Sequence, residues 1–342
     1  MKILILGGTL FLGRHIAAVA VRRGHALTLF NRGRRAVGLF PEAEQLHGDR
    51  DADLGALRGR VFDCVIDTCG YRPGQLQTVA ETLAGGAAHY IFISSISVYR
   101  SFAPGQAFDE DAPLLQGNEG YGALKARSEE AIEAALPGRV AHVRPGLIVG
   151  PQDPTGRFGY WPRRVARGGE VLAPGRPERP VHWIDVRDLA EWCVHLAEQA
   201  STGAFNAVGP SLSMQALLER CRAVTGSDAR FTWLGDSALQ AAGVTPWTEL
   251  PLWIPEHDPA FGGMLLADNR RALQAGLRCR PVDDTIAAAL DWEHAMDLTT
   301  RDGPTRVASL TPAREAELLA AARALQDRPT TQAPHFISMR TK

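Results

Sequence analysis

A short apolar run that breaks into a glycine-rich turn opens the chain and constrains its fold more than any other feature. Lys2–Leu6 is typical of a buried strand, and the next seven residues are Gly-Gly-Thr-Leu-Phe-Leu-Gly. Helical periodicity follows over Leu12–Arg23 and ends at Gly24. A glycine turn in this position lets the backbone approach a pyrophosphate, to which the helix N-terminus offers free N–H groups. The pattern predicts a dinucleotide-binding turn.

Each glycine of this turn has an expected task. Gly7 makes the turn, Gly8 supplies a backbone donor, and Gly13 lets the helix close on the sheet. Leu10 stands where a third spaced glycine is often found, so the match is imperfect. The alternative is a glycine turn that binds nothing, which the strand before it and the helix after it make less favoured. The expected cofactor contacts in this turn are Gly7, Gly8, Thr9, Phe11, Leu12 and Gly13.

Short apolar runs alternate with amphipathic stretches through the first half of the chain, and this alternation predicts the fold class. Runs without polar interruption are typical of parallel strands that are buried on both faces. We therefore predict an α/β fold with a doubly wound parallel Rossmann sheet over residues 1–150, joined by a strand near 203–208. The predicted strands are Lys2–Leu6, Ala26–Phe30, Gln45–His47, Phe62–Asp67, Tyr90–Ser95 and Val140–Arg144, and the later helices are Gln75–Leu83 and Tyr121–Leu136.

The residue composition changes after Pro145, where Pro, Gly, Arg and aromatic residues become frequent. We expect residues 151–325 to form most of a smaller C-terminal substrate-binding domain, with helices at Ile184–Gln199 and Pro312–Leu325, and residues 328–342 to form a flexible tail. An alternative is that the aromatic residues only pack this domain and that its arginines are solvated. The candidate substrate residues are Tyr160, Trp161, Arg179 and Trp183.

Charge and cysteine usage limit the class of protein. The formal net charge of −1 over 342 residues argues against nucleic acid as the main partner. The opening apolar run is too short for a signal-peptide core, and no run approaches the roughly 18 residues of a membrane span. Five scattered cysteines without CxxC spacing are typical of reduced thiols, so we expect a cytoplasmic protein. His182, His257 and His294 lack metal-ligand spacing, so no metal is predicted.

The end of the second predicted strand indicates which dinucleotide is preferred. Asn31 stands 18 residues beyond Gly13, where an acidic residue would accept from the ribose 2′-hydroxyl of NAD. The chain has no carboxylate there, and Arg32, Arg34 and Arg35 follow. Because guanidinium groups suit a 2′-phosphate, the sequence predicts NADP, with NAD as second choice. A solvated basic loop is the alternative.

A proton-transfer site is predicted from two further segments. Tyr121 and Lys125 lie four residues apart, so both side chains point from one helix face and the lysine can stabilise a phenolate. Ser95, at the end of an apolar run, can hold a substrate oxygen. Spacing alone would favour an exposed helix pair, but the glycine turn and the serine-ended strand favour catalysis. Asp49, after the third strand, is predicted either to accept from an adenine amino group or to cap the next turn.

These motifs resemble those of the short-chain dehydrogenase/reductase superfamily, and in particular its extended and atypical NAD-dependent epimerase/dehydratase-like branch. The resemblance covers about residues 1–210. It implies Ser95, four residues before Tyr99, as the catalytic serine, and Tyr121 and Lys125 as its partners. It also implies that the Arg-Pro segment at Arg144, with Pro145 and Ile148, lies along the nicotinamide. Asp67-Thr68-Cys69-Gly70-Tyr71 departs from the usual turn after the fourth strand and leaves the substrate open.

Three functions follow as expectations. The first is an NADP-dependent oxidoreductase that reduces a carbonyl or oxidises an alcohol on a small-molecule substrate. The second is a nucleotide-sugar epimerase with the same site and a retained cofactor. The third is a non-redox scaffold that binds RNA or protein, because the atypical subgroup includes chloroplast RNA-binding stem-loop proteins. The resemblance further implies a homodimer formed through the helices of the central sheet.

Overall fold

The computed structural model describes residues 1–34, 38–295 and 309–326, so the predicted tail at 328–342 and the side chain of Arg35 lie outside the described residues. The strands are β1 (Lys2–Leu6), β2 (Ala26–Asn31), β3 (Glu44–His47), β4 (Phe62–Asp67), β5 (Ala87–Ile93), β6 (Val140–Pro145), β7 (Ile148–Val149), β8 (Glu170–Pro174), β9 (Pro180–Val181), β10 (Ile184–Asp185), β11 (Gly203–Ala207), β12 (Leu212–Ser213) and β13 (Arg230–Leu234). The helices are α1 (Phe11–Arg22), α2 (Pro73–Leu83), α3 (Tyr121–Ala135), α4 (Tyr160–Ala166), α5 (Val186–Glu198), α6 (Met214–Thr225), α7 (Asp236–Ala241), α8 (Arg270–Gln274), α9 (Val282–Ala295) and α10 (Pro312–Gln326).

A seven-stranded parallel sheet forms the centre of the molecule, in the order β11-β6-β5-β4-β1-β2-β3. Helices α1 and α5 pack together on one face, and α2 and α3 pack together on the other. The order reverses at β1, where the chain moves first to β2 and β3 and then back past β1 to β4. The predicted doubly wound parallel sheet is confirmed. In such sheets a ligand binds beyond the carboxyl ends of the strands at this switch point.

The strands are buried because both faces are covered by helices. Ile3 and Ile5 of β1 pack into the core under α1 and α5, whereas Leu4 and Leu6 pack into the core under α2 and α3. This explains why the run is continuously apolar rather than alternating. Of the described helices, none is both long and apolar enough to cross a membrane.

A second apolar core lies in the C-terminal half, where α4, α6, α9 and α10 surround the parallel pair β8–β13. It includes the fully buried side chains of Trp161 and Trp253. Its members run from Val149 to Ala322, so residues far apart in sequence build it. The chain returns once to the central sheet through α5 and β11, which pairs with β6.

Predicted and observed elements of the first half agree closely, with one instructive difference. The strand predicted at Tyr90–Ser95 is observed at Ala87–Ile93. The serines leave the sheet because Ser95 Oγ accepts a hydrogen bond from the Ser97 amide at 3.0 Å and caps a short 3₁₀ turn over Ile96–Val98. Ser95 is therefore held at the carboxyl edge by its own cap.

A buried ion pair between Asp67 and Arg50 joins the end of β4 to the loop after β3. Asp67, the last residue of β4, has no exposed surface and accepts two hydrogen bonds from Arg50, at 2.8 and 2.9 Å. The Tyr90 hydroxyl at 2.8 Å and the Cys69 amide at 3.0 Å also donate to this carboxylate. Although burial opposes the charge, Arg50 and these donors hold the pKa of Asp67 below its usual value.

Asp67→Asn is expected to lower the free energy of unfolding by about 3–5 kcal/mol, because Arg50 would remain as a buried charge without its partner. Urea denaturation at neutral pH measures this. The control is Glu130→Gln in the exposed Arg127–Glu130 pair, where we expect a change of at most about 1 kcal/mol. The folded-state pKa of Asp67 is lowered, so its contribution is present above the pKa of an unfolded aspartate and is lost as the pH falls through the folded-state value. Equal losses in the two variants would contradict this prediction.

Candidate active site

The glycine turn after β1 has the shape that a pyrophosphate requires. Gly7 and Gly8 have φ of 109° and 80°, a region that favours glycine. A Cβ on Gly13 would lie 2.7 Å from the Gly8 amide nitrogen, so only glycine lets α1 approach the turn this closely. Helix α1 begins at Phe11 after Leu10, and no side chain caps its first turn. These free N–H groups and the cradle around Gly8 fit a dinucleotide phosphate.

The end of β2 presents side chains toward the same edge. Asn31 Oδ1 accepts from the Gly33 amide at 2.8 Å, while its buried Nδ2 has no hydrogen-bond partner among the described residues. Arg32 and Arg34 are exposed, and within the described ranges neither makes a hydrogen bond or an ion pair. Asp49 is half-buried, and its Oδ1 accepts a hydrogen bond from the Asp51 amide at 3.0 Å. This bond caps the turn, which is one of the two roles expected for Asp49 from the sequence. A dinucleotide ribose fits this polar rim.

The structure brings Ser95 and Tyr121 together. Tyr121 is the first residue of α3 and is 52% exposed, and its phenol lies close enough to the Ser95 hydroxyl for the serine to lower its pKa. Gly122 makes this approach possible, because a Cβ there would collide with the carbonyl oxygen of Ser97. The glycine in Tyr-Gly-Ala-Leu-Lys thus seats the start of α3 directly on the turn that follows β5.

Lys125 lies one helical turn further along α3 and is almost fully buried, with 2% of its surface exposed. Its Nζ donates to the carbonyl oxygens of Gly70 and Ile93, both at 2.7 Å. Nζ also lies 4.9 Å from the centre of the Tyr71 ring and 5.9 Å from that of Tyr121. Burial lowers the pKa of Lys125 to about 8, against the opposing effect of the Asp67 charge.

The electrostatic balance at Tyr121 differs in detail from the sequence expectation. Tyr121 is half exposed, and the partial burial of its phenol raises its pKa, whereas the nearby Ser95 side chain lowers it. Lys125 is not among the groups that shift this pKa, because its ammonium group is directed toward the two backbone carbonyls. The Ser95 hydroxyl, whose oxygen already accepts from Ser97, is therefore the group in direct contact with the phenol.

Several residues that complete the site were not selected from the sequence. The turn after β4 delivers the Gly70 carbonyl and the Tyr71 ring to Lys125. Asp67, paired with Arg50, holds this turn by accepting a hydrogen bond from the Cys69 amide. The sequence signal for these residues was the unusual segment Asp67-Thr68-Cys69-Gly70-Tyr71. Its pairing with Arg50 depends on the position of β3 beside β2, which residue spacing in the sequence does not reveal.

A second buried pair fixes α3 against β6. Arg144 donates to both carboxylate oxygens of Glu129, at 3.0 and 2.6 Å, and to the Tyr99 hydroxyl at 3.0 Å. Tyr99 in turn donates to Asn206 Oδ1 at 2.6 Å. Glu129 lies two helical turns beyond Tyr121, so this network sets the position of the helix that carries the tyrosine. Pro145 follows directly at the end of β6, and Ile148 lies half-buried in β7.

The four candidate substrate residues lie in or beside the second core. Tyr160 and Trp161 are buried in it, and the Trp161 indole donates to the Pro251 carbonyl at 2.8 Å. Trp183 packs on Phe158 with ring centres 4.8 Å apart. Arg179 is buried and lines a cavity. Across the described ranges, no three His, Cys, Asp or Glu side chains cluster in a way that could hold a metal ion.

The sequence also matches a known family. Residues 74–208, which contain Ser95, Tyr121, Lys125 and Arg144, match the model of the NAD dependent epimerase/dehydratase family. The match agrees with the resemblance suspected from the sequence, over the segment that carries these four residues.

Individual relatives are distant. The chain is 26% identical over 249 residues to the chloroplast stem-loop binding protein of 41 kDa b from Arabidopsis thaliana, and this match covers 66% of the chain but only 63% of the relative's length. The UDP-glucuronic acid 4-epimerase from Bacillus cereus, solved with NAD, superimposes with a TM-score of 0.62 at 17% identity, covering 86% of this chain and 99% of that one. The UDP-glucose 4-epimerase from Thermus thermophilus, solved with NAD, gives 0.60 at 17% identity, with coverages of 87% and 100%. These structural likenesses establish the fold.

Lys125→Met is expected to change the pH dependence of stability. A lysine with a folded-state pKa near 8 and an ordinary value of 10.5 destabilises the fold below pH 8, and this penalty is relieved as the pH rises to 10.5. Between pH 8 and pH 10.5, the free energy of unfolding of the unmodified protein should therefore rise by on the order of 3 kcal/mol relative to that of Lys125→Met. Denaturant unfolding at a series of pH values measures the difference.

The control for this comparison is Lys2→Met, which removes an exposed lysine. It should follow the pH dependence of the unmodified protein. If Lys125→Met did the same, the buried lysine would have an ordinary pKa and the prediction would be wrong.

Proposed function

We propose that the protein is an NADP-dependent oxidoreductase that reduces a carbonyl, or oxidises the corresponding alcohol, on a small-molecule substrate. The observation that supports this most is the proximity of the Ser95 and Tyr121 side chains beside buried Lys125, at the sheet edge that also carries the glycine turn. A hydroxyl, a phenol and an ammonium group on one side of a dinucleotide cradle suit proton transfer that accompanies hydride transfer.

Each side chain has a distinct role in this proposal. When bound, the nicotinamide supplies the hydride chemistry. Ser95 holds the reacting oxygen of the substrate, and Tyr121 exchanges a proton with that oxygen. Lys125 stays charged at neutral pH because its pKa is about 8, and its ammonium group would favour the Tyr121 phenolate by turning from the Gly70 and Ile93 carbonyls toward the phenol.

The choice of NADP over NAD rests on the end of β2. Two exposed arginines without partners in the described ranges stand where an acidic residue would select NAD. Guanidinium groups bind a 2′-phosphate through paired, charge-assisted hydrogen bonds. The buried and unsatisfied Nδ2 of Asn31 adds a donor at the same place.

Arg32→Ala combined with Arg34→Ala should weaken NADPH binding about tenfold or more, because each lost charge-assisted contact is worth about 1.5–3 kcal/mol. NADH binding should change little. Fluorescence titration with each cofactor measures both constants. The control is Arg58→Ala, an exposed arginine that follows the 3₁₀ turn at Gly55–Leu57. A protein that binds NADH more tightly than NADPH before any substitution would overturn the NADP assignment.

Tyr121→Phe is expected to reduce turnover about 10²–10⁴-fold while cofactor binding is retained, because only the proton donor is removed. Ser95→Ala should also reduce turnover. Ser97→Ala, two residues away in the same turn, serves as its matched control, since Ser97 contributes its backbone amide rather than its side chain to the cap. Steady-state rates on a panel of carbonyl compounds provide the measurement, and full activity in Tyr121→Phe would refute the proposed role.

A nucleotide-sugar epimerase is the second candidate, favoured by the family match. It would use the same side chains but retain the cofactor through gel filtration and turn over without a net change in absorbance at 340 nm.

A scaffold that binds RNA or protein is supported only by the distant chloroplast relative. Such a scaffold would keep its function in Tyr121→Phe. The expected homodimer is testable by light scattering of the purified chain.

A further inference from the structure

A cavity of about 220 Å³ lies in the C-terminal half, away from the residues discussed for the cofactor. Its walls are largely apolar, with Pro180, Ile254, Phe261 and Leu265 among them. Three charged residues also line it: Arg176, Arg179 and Glu256. A small apolar chamber with a few polar groups is the usual form of a site for a small organic ligand.

Arg179 is the unusual member of this lining. Only 2% of its surface is exposed, and its Nη2 donates to the Ile254 carbonyl at 2.9 Å. Its Nε and Nη1 are buried and have no hydrogen-bond partner among the residues that the structure describes. A buried guanidinium with unused donors is costly unless a partner satisfies it.

The neighbouring charges do not satisfy Arg179. Arg176 donates to both carboxylate oxygens of Glu256, at 2.7 and 2.8 Å, so these two residues neutralise each other. The Asp236 carboxylate accepts from the Trp253 indole at 2.9 Å and from the Glu256 amide at 2.8 Å. Within the described ranges no carboxylate forms an ion pair with Arg179, although the Asp236 and Glu256 charges act on its guanidinium, so Nε and Nη1 keep no hydrogen-bond partner there.

The cavity is connected to the catalytic turn through the backbone. Gly105, another lining residue, follows Ser95 by ten residues. Just before it, the Phe102 amide donates to the Ala260 carbonyl at 3.2 Å, and the Gly263 amide donates to the Phe102 carbonyl at 2.9 Å. The loop that leaves Ser95 is thus bonded to the segment that forms one wall of the cavity.

We propose that this cavity binds the carboxylate of a small apolar acid, with a free donor of the Arg179 guanidinium holding the carboxylate and the apolar walls holding the rest of the molecule. One guanidinium with unused donors suits a single carboxylate, whereas a diphosphate would require further unpaired cations. The walls contribute apolar contact rather than the hydrogen bonds that a sugar would need. The identification of this acid as the substrate rests on the proposed function, but its binding does not.

The test is calorimetric titration of the purified full-length chain, without cofactor, with phenylacetate as the probe. Phenylacetamide is the matched neutral probe, and inorganic phosphate is the matched anion without apolar surface. We expect phenylacetate to bind at least about tenfold more tightly than either, as one charge-assisted contact requires. Equal binding of acid and amide would overturn the proposal, and tighter binding of phosphate would overturn the carboxylate class.

Substitutions then locate the site. R179Q should weaken phenylacetate binding about tenfold or more, and R179K, which keeps a charge but not the forked geometry, should fall between. R220Q, in an exposed ion pair with Asp283, is the control and should bind as the unmodified protein does. Unchanged binding in R179Q would refute the assignment to Arg179. Tyr121→Phe should retain phenylacetate binding, so loss of turnover and loss of this site are separate results.

Discussion

The Asp67–Arg50 ion pair supports the turn to which the buried side chain of Lys125 is bound. A buried carboxylate at the end of β4 is tolerated because it receives two hydrogen bonds from Arg50 and one each from Tyr90 and Cys69. The Cys69 contact fixes the turn that follows, and that turn presents the Gly70 carbonyl to Lys125. The negative charge of Asp67 also opposes the loss of charge on the buried lysine. One carboxylate thus controls both the position and the charge of Lys125.

The position of Tyr121 depends on an equally local constraint. Because Gly122 has no side chain, α3 can begin against the Ser97 carbonyl, and this contact places the phenol at Ser95. The Arg144–Glu129 pair then holds the same helix two turns further along. The serine, the tyrosine and the lysine therefore come from two elements, the 3₁₀ turn after β5 and helix α3, whose separation is set by backbone contact and by a buried ion pair.

The sequence predicts the central sheet well because buried parallel strands leave continuous apolar runs and because the glycines mark turns. It predicts the second half poorly. β8 and β13 pair across a long intervening stretch that shows no strand period, and α4 and α7 are too short to give a helical pattern. Trp161 and Trp253 lie in the second core, as expected from the alternative interpretation that the aromatic residues only pack this half. The burial of Arg179 could not be predicted, since a cluster of arginines in sequence is typical of a solvated surface.

The charge state of these side chains bears on the direction of the proposed reaction. Partial burial raises the pKa of Tyr121 and burial lowers that of Lys125 to about 8, so at neutral pH the phenol keeps its proton and the ammonium group keeps its charge. In the proposed carbonyl reduction, a protonated phenol beside Ser95 would donate to the substrate oxygen. The proposed alcohol oxidation would first have to remove that proton, and Lys125 does not assist this step while its ammonium group binds the Gly70 and Ile93 carbonyls. Under the proposed function, the charge state at neutral pH therefore suits reduction better than oxidation.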